Sequence, residues 1–312
     1  MNTKSVEITV FTCTYNRLAT ISRTYESLLS QTHKNFEWVI VDNGSTDDTI
    51  SYLKSIEHNA PFPIRIHRRE TNTGFQNAYN KGIAMANGEF YICLDSDDAC
   101  VPESLTRLME IWHSIPESVQ HEFVGVTVNC EDQHGNLVGD LYPETPFDSN
   151  NLETEMRYKI KGEKWGLLKL EILRQYPFPV SDQHINPSLV WRAISRQYKT
   201  RYTNDVLRIY YINESGREDQ ISFHRNRKEA AFGKRLNAME LLNKDINWFT
   251  SAPFIFAKNA MNYSRNSFLL GLKTSDQLSD IQPFLSKVLV ALSFPYGAIW
   301  SQMVSSKEAH LN

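Results

Sequence analysis

Through the first hundred residues, short apolar runs alternate with stretches that are apolar on one face, the pattern of strands followed by helices. Val6-Glu7-Ile8-Thr9-Val10-Phe11 predicts a strand that runs into the polar loop Thr12-Cys13-Thr14-Tyr15-Asn16-Arg17, and a helical pattern follows through Leu28 and Leu29. Phe36-Glu37-Trp38-Val39-Ile40-Val41 predicts a second strand, ending at Asp42-Asn43-Gly44-Ser45-Thr46-Asp47-Asp48. Ser45 is a candidate N-cap for a helix reaching Ile56, with Asp47 and Asp48 in the first turn, where carboxylates suit the helix dipole. Ile64-Arg65-Ile66-His67 fits a third strand. Asn72-Thr73-Gly74 then precedes a helix from Gln76 to Ala86, stopped by Asn87-Gly88, and Phe90-Tyr91-Ile92-Cys93-Leu94 is a fourth strand. This alternation implies an α/β fold with a mainly parallel sheet flanked by helices.

In such sheets ligands bind outside the carboxyl ends of the strands. Tyr15, Asp42 and the cluster Asp95-Ser96-Asp97-Asp98 all fall at predicted strand ends, so they are expected to converge on one crevice. Three carboxylates crowded together repel unless a cation neutralises them, and a hard divalent ion does so while sharing its oxygens with ligand phosphates. A turn whose Asp and Ser side chains cap a helix is the alternative for the same residues. Neither Gly-x-Gly-x-x-Gly nor Gly-x-x-x-x-Gly-Lys-Ser/Thr follows the first strand, which argues against a Rossmann dinucleotide site and a P-loop.

Thr14-Tyr15-Asn16-Arg17, Ser27-Leu28-Leu29-Ser30-Gln31-Thr32, Val39 to Asp47, Asn72-Thr73-Gly74 and Asp95-Ser96-Asp97-Asp98 occur in an order and spacing that resemble the family 2 glycosyltransferases of GT-A fold. The resemblance is specific over residues 5–100. It continues more loosely to Ile212 through Lys164-Trp165-Gly166, Tyr176-Pro177-Phe178-Pro179 and the run from Asn204 to Tyr210. It implies a domain over 1–215, with a nucleotide-sugar half (1–100) and an acceptor half (101–215), and a helical C-terminal appendage over 216–312. It also implies a nucleotide-sugar donor, with a UDP-sugar favoured, held by Thr14, Tyr15, Arg17, Asp42, Asn72, Gly74 and Asp95. Tyr15 would stack on the base and Asp42 would accept its N–H, while Asp97, then Asp98, would ligate Mg²⁺ or Mn²⁺ bridging to the diphosphate. Lys164 and Trp165 are expected on the wall facing a glycan or lipid-linked acceptor, Trp165 either stacking a sugar ring or packing in the core.

An inverting transferase also needs a base for the acceptor hydroxyl. The family's carboxylate before the following helix is replaced here, since Ser181 to Ser188 reads Ser-Asp-Gln-His-Ile-Asn-Pro-Ser, with Asn186 and Ser188 at the expected positions. Asp182 and His184 are the remaining candidates. The departure keeps a non-catalytic nucleotide-sugar binder open. A sugar nucleotidyltransferase would want a Gly-rich basic loop after the first strand, and Phe11 to Arg17 does not provide one.

A length of 312 residues accommodates a main domain and an appendage, and a net charge of −3 carries no nucleic-acid footprint. Cys13, Cys93, Cys100 and Cys130 have neither CxxC nor zinc spacing and are expected to be reduced. The start lacks a signal-peptide core, which points to a cytoplasmic protein. Beyond the nucleotide half, Glu122 to Asn129 predicts a strand, with a turn at His134-Gly135-Asn136 and a return at Leu137-Val138. From His224 the chain becomes helical and locally basic. The apolar stretch 284–303, interrupted by Lys287, Pro295 and Gly297, fits a segment lying peripherally on a membrane or a helix packed on the domain.

Overall fold

The computed structural model describes residues 5–181, 185–212 and 227–309. Strands β1 (Ile8–Thr14), β2 (Phe36–Asp42), β3 (Ile64–Arg68) and β4 (Phe90–Cys93) alternate with helices α1 (Ile21–Leu29), α2 (Thr49–Glu57) and α3 (Phe75–Met85). After β5 (Ala99–Cys100) come α4 (Ser104–His113), β6 (Phe123–Asp132), β7 (Phe147–Ser149), α5 (Asn151–Met156), β8 (Lys164–Lys169), α6 (Leu170–Leu173), α7 (Ser188–Ser195) and β9 (Lys199–Tyr210). The chain closes with α8 (Arg227–Lys244), α9 (Pro253–Leu269), α10 (Thr274–Ser279) and α11 (Phe284–Ala309).

These elements form two compact units. The first comprises Met1–Glu155, Lys159–Val180 and Arg192–Glu214; the second takes the chain from Ser215 together with Met156–Tyr158 and Ser181–Trp191. In the first, one sheet runs β3-β2-β1-β4-β8-β6-β9-β5, with β7 also paired to β9. Within the first hundred residues, β1 to β4 form a parallel arrangement as expected: β1 lies between β2 and β4, and β3 continues beyond β2. The strands beyond residue 100 make the sheet mixed. There β8 runs antiparallel to both β4 and β6, whereas β6 and β9 are parallel. Reversing β8 brings its first residues beside the carboxyl end of β4.

Alternation along the strands supplies both faces with apolar groups. Val10, Trp38, Ile40, Ile92 and Val126 pack with Leu28 of α1, Leu53 of α2 and Leu108 of α4. On the other face Phe11 stacks on Tyr91, and Tyr79 of α3 meets both rings and Phe178 edge-on. Gly82 makes that approach possible, because a Cβ there would lie 2.4 Å from the Phe11 ring. Several buried polar groups in these layers are paired. Trp38 Nε1 donates to Thr12 Oγ1 at 2.9 Å, and that hydroxyl donates to Leu94 O at 2.7 Å. Glu37, fully enclosed, accepts from Thr9 Oγ1 at 2.8 Å and from the Asn87 N–H at 2.7 Å, so the stop at Asn87-Gly88 is anchored to the sheet. The expected return at Leu137-Val138 is reduced to a single bridge between Glu131 and Leu137.

In the second unit α8, α9 and α11 pack together, with Arg235 paired to Asp280 and Ser286 Oγ donating to Leu242 O at 2.6 Å. Despite Pro295, α11 continues as one helix. Its Phe284–Val304 stretch is long and apolar enough to cross a membrane by length and composition, so the interruptions read in the sequence do not shorten it. Gly297 lies against α9 with no room for a Cβ beside Ser264, and Phe268 of α9 meets Phe294 edge-on, while Phe284, Val288, Leu292, Tyr296, Ile299 and Met303 are exposed.

Candidate active site

The loops after β1 and β2 are knitted into one surface. Asn16, in the left-handed region at φ 52°, accepts the Thr46 N–H through Oδ1 at 2.8 Å, and its own N–H donates to Ser45 Oγ at 2.9 Å. The Arg17 N–H donates to Thr49 Oγ1 at 2.9 Å. This holds Tyr15 outward, partly exposed beside the strand ends. Asp42 is directly across from Thr14 in the sheet register and is wholly enclosed; its carboxylate accepts the Ser45 hydroxyl and, at 3.1 Å, the Ser45 N–H. Ser45 therefore does not cap α2. The helix starts at Thr49, whose N–H is accepted by Asp47 Oδ1 at 3.0 Å, because Ser45 is drawn back by the carboxylate at the end of β2.

Asn72 accepts the Gly74 N–H at 3.0 Å and shapes the turn into α3, where Gly74 takes φ 84°. The Gly74 carbonyl receives Asn43 Nδ2 at 3.2 Å, tying this third loop to the second. Three buried polar atoms in these loops and strand ends have no hydrogen-bond partner: Thr14 Oγ1, Asn43 Oδ1 and Thr73 Oγ1. Unpartnered groups of this kind cost stability unless a ligand or water satisfies them.

The acidic cluster divides into two kinds of carboxylate. Asp95 and Asp97 are open, with side chains 44% and 43% exposed, whereas Asp98 is 1% exposed. Arg208, near the end of β9, accounts for the difference. Its Nε lies 3.0 Å from Asp98 Oδ2, its Nη2 bonds the same oxygen and also Asp95 Oδ2 at 2.6 Å, and its Nη1 is 3.7 Å from Glu163. The Tyr211 N–H occupies the other Asp98 oxygen at 2.9 Å. Asp98, expected as a second metal ligand, is instead a buried partner of Arg208, which takes up the oxygens an ion would need. Burial pushes its carboxyl up to about 6 against the pull of Arg208. Burial also raises Asp97, and the neighbouring Asp95 charge adds to it, while Arg17 Nε, 3.8 Å away, opposes both.

No group of three His, Cys, Asp or Glu side chains able to hold an ion occurs among the described residues. The residues do fit an ion held by one or two carboxylates that completes its shell with phosphate oxygens, since Asp95 and Asp97 are both open at the end of β4.

Of the two residues expected on the acceptor side, Trp165 follows the core-packing alternative and Lys164 is held within the sheet. Trp165 is buried, and its Nε1 donates to Cys93 O at 2.6 Å, so it packs in the core and offers no face to a sugar. Lys164 Nζ bonds Asn129 Oδ1 at 2.6 Å and the Asp140 carbonyl and lies 4.8 Å over the Tyr142 ring, a structural role set by the antiparallel pairing of β8 with β6. Asp182 and His184 lie outside the described residues. Asn186 and Ser188 serve α7: Asn186 Oδ1 accepts the Ser188 N–H at 2.9 Å, and Ser188 Oγ donates to Asn237 at 2.8 Å. Arg208 and Glu163 received no role from the sequence. The only local signal for Arg208 was one cation in the apolar run Val206-Leu207-Arg208-Ile209-Tyr210; Glu163 had none.

Residues 9–157 match the model of Glycosyl transferase family 2. The chain carries a family 2 glycosyltransferase domain. It is 37% identical to an uncharacterized glycosyltransferase of Nostoc sp. over 131 residues, 42% of this chain and 38% of that protein. It is 24% identical over 214 residues, 66% of this chain and 65% of the relative, to the GalNAc(5)-diNAcBac-PP-undecaprenol beta-1,3-glucosyltransferase of Campylobacter jejuni. The chain thus spans under two thirds of the length of both curated relatives. The crystal structure of S. aureus TarS 1-349 in complex with UDP-GlcNAc has the same fold, with a TM-score of 0.65 at 17% identity over 97% of this chain and 92% of that one.

Proposed function

We propose that this family 2 domain works as an inverting, metal-dependent glycosyltransferase, moving a sugar from a nucleotide-sugar donor, with UDP-sugars favoured, to a glycan or lipid-linked acceptor in polysaccharide assembly. The observation that carries the reading is the set of unsatisfied polar atoms, Thr14 Oγ1, Asn43 Oδ1 and Thr73 Oγ1, buried where the strand ends bring Tyr15, Asp42 and Asp95 together. Tyr15 stacks on the base, which contributes about 1–3 kcal/mol by analogy with bases on aromatic side chains. The resemblance gives Asp42 the base N–H; its carboxylate is enclosed at the end of β2 and held there by Ser45. Asp95 and Asp97 hold Mg²⁺ or Mn²⁺, which supplies charge neutralisation for the departing diphosphate, and Arg17 adds a cation beside Asp97. Asp182 and His184 are the proton acceptors the sequence offers.

The lipid-linked acceptor in the name of the Campylobacter relative supports a substrate of that class. We place α11 on a lipid surface through its exposed apolar face. Charge favours anionic lipid: α9 and Phe284–Val304 carry Lys258, Arg265 and Lys287 and no carboxylate.

A second reading, a nucleotide-sugar binder without transferase activity, is favoured by one observation: Asn186 and Ser188 stand where the family's carboxylate is expected and are spent on capping and on Asn237. Calorimetry with UDP- and GDP-sugars in Mn²⁺, followed by assay of nucleoside diphosphate release, separates the two. Metal-dependent binding with release supports the transferase; binding without release from any donor supports the binder.

A further inference from the structure

Glu163 sits one residue before β8, and the direction of that strand decides what it can reach. Because β8 runs antiparallel to β4, its first residues lie beside the carboxyl end of β4, a placement fixed by the bond from Trp165 Nε1 to Cys93 O. Glu163 Oε1 is 3.7 Å from Arg208 Nη1, and the same guanidinium holds Asp95 at 2.6 Å. One buried cation therefore spans a donor-side carboxylate and a carboxylate delivered by the acceptor half.

The carboxylates around Arg208 are not equivalent. Asp98 is enclosed and saturated by Arg208 and the Tyr211 N–H, while Asp95 and Asp97 are open after the end of β4. Glu163 is 43% exposed, so one face of it is open to an incoming hydroxyl. We propose that Glu163 is the catalytic group that accepts the proton of the acceptor hydroxyl, an assignment that rests on the transferase reading above. In the step, the hydroxyl oxygen bonds to the anomeric carbon as the bond from that carbon to the diphosphate oxygen breaks. The electron pair leaves with the nucleoside diphosphate, and the proton passes to a Glu163 oxygen.

The groups that face Glu163 are Arg208 and Tyr210 on β9, Cys130 on β6 and Asp95 after β4. Burial raises its carboxyl above the usual range, Arg208 opposes this and Asp95 reinforces it. That balance leaves a stronger base than a solvated glutamate. It also explains how the position occupied by Asn186 and Ser188 can lack a carboxylate without loss of the proton acceptor.

The test uses the full chain with Mn²⁺ and a panel of UDP- and GDP-sugars, measuring donor binding by calorimetry and nucleoside diphosphate release with water as acceptor. Glu163→Gln should bind donor within about twofold of wild type, release nucleotide about 10² to 10⁴ more slowly, and lose the rise of rate with pH that a base produces. Asp182→Asn and His184→Gln, which remove the two proton acceptors the sequence offers, are measured in parallel. Release by Glu163→Gln at the wild-type rate would overturn the assignment, as would weakened donor binding with turnover unchanged, which would make Glu163 a sugar contact. If Asp182→Asn shows the loss instead, the base is Asp182. A wild-type protein that binds donors but releases nothing removes the transferase reading itself, a distinct result.

Discussion

Replacing Arg208 with Met keeps much of the side chain's length but removes the one cation shared by Asp95, Asp98 and Glu163. The three contacts do not weigh equally. Asp95 and Glu163 are nearly half exposed, so water screens their loss and each contributes little. Asp98 is 1% exposed and would be left as an unpaired carboxylate. A pair at contact is worth about 4 kcal/mol at an effective dielectric near 20, and removing one partner of a buried pair costs about 3–5 kcal/mol. At about 2–4 °C per kcal/mol for a unit of this size, the melting temperature should fall by about 10 °C. Scanning calorimetry reads the shift. Asp98→Asn in the Arg208→Met background removes the stranded charge while keeping an oxygen for the Tyr211 N–H, and should recover about half of the loss or more. A single variant melting within about 2 °C of wild type, or a double variant no better than the single, would refute the idea that Arg208 is held in place by what it neutralises.

Asp97→Ala should abolish metal-dependent donor binding and leave the melting temperature unchanged, because an open carboxylate is lost and no buried partner is stranded; calorimetry with and without EDTA checks both halves. Asp42→Ala should weaken binding of free nucleoside diphosphate as well as of the donor, and should also cost about 1–3 kcal/mol of stability, since the buried Ser45 N–H and hydroxyl lose their acceptor. Unaltered nucleotide affinity would remove Asp42 from the base site. Leu292→Asp with Ile299→Asp should reduce co-flotation with vesicles containing anionic phosphatidylserine at least tenfold while the protein stays folded, both residues being exposed on one face of α11. Wild-type protein that ignores vesicles but self-associates in a concentration-dependent manner would assign that face to a second copy.

Local pattern determined much of the nucleotide half. Short apolar runs place β1 and β2, and punctuation by Asn72-Thr73-Gly74 and Asn87-Gly88 brackets α3, because the preferences of short segments and turn residues act over a few positions. The same pattern put Tyr15, Asp42 and Asp95 at strand ends, and parallel pairing then makes them neighbours. What no local rule carries is the partner of a charged side chain. Asp97 and Asp98 are adjacent and chemically identical, yet Asp98 points under the sheet to Arg208, 110 residues away, while Asp97 stays open to solvent. Trp165 and Glu163 differ by two positions, and only the reversed direction of β8 buries the one against Cys93 O and turns the other toward Arg208. Ser45 satisfied the rule for a helix cap and was taken instead by Asp42, since a carboxylate enclosed at the end of β2 needs donors more than α2 needs a cap. The sequence determined which residues could do chemistry; strand direction and burial, properties of the assembled sheet, decided which of them remain free to do it.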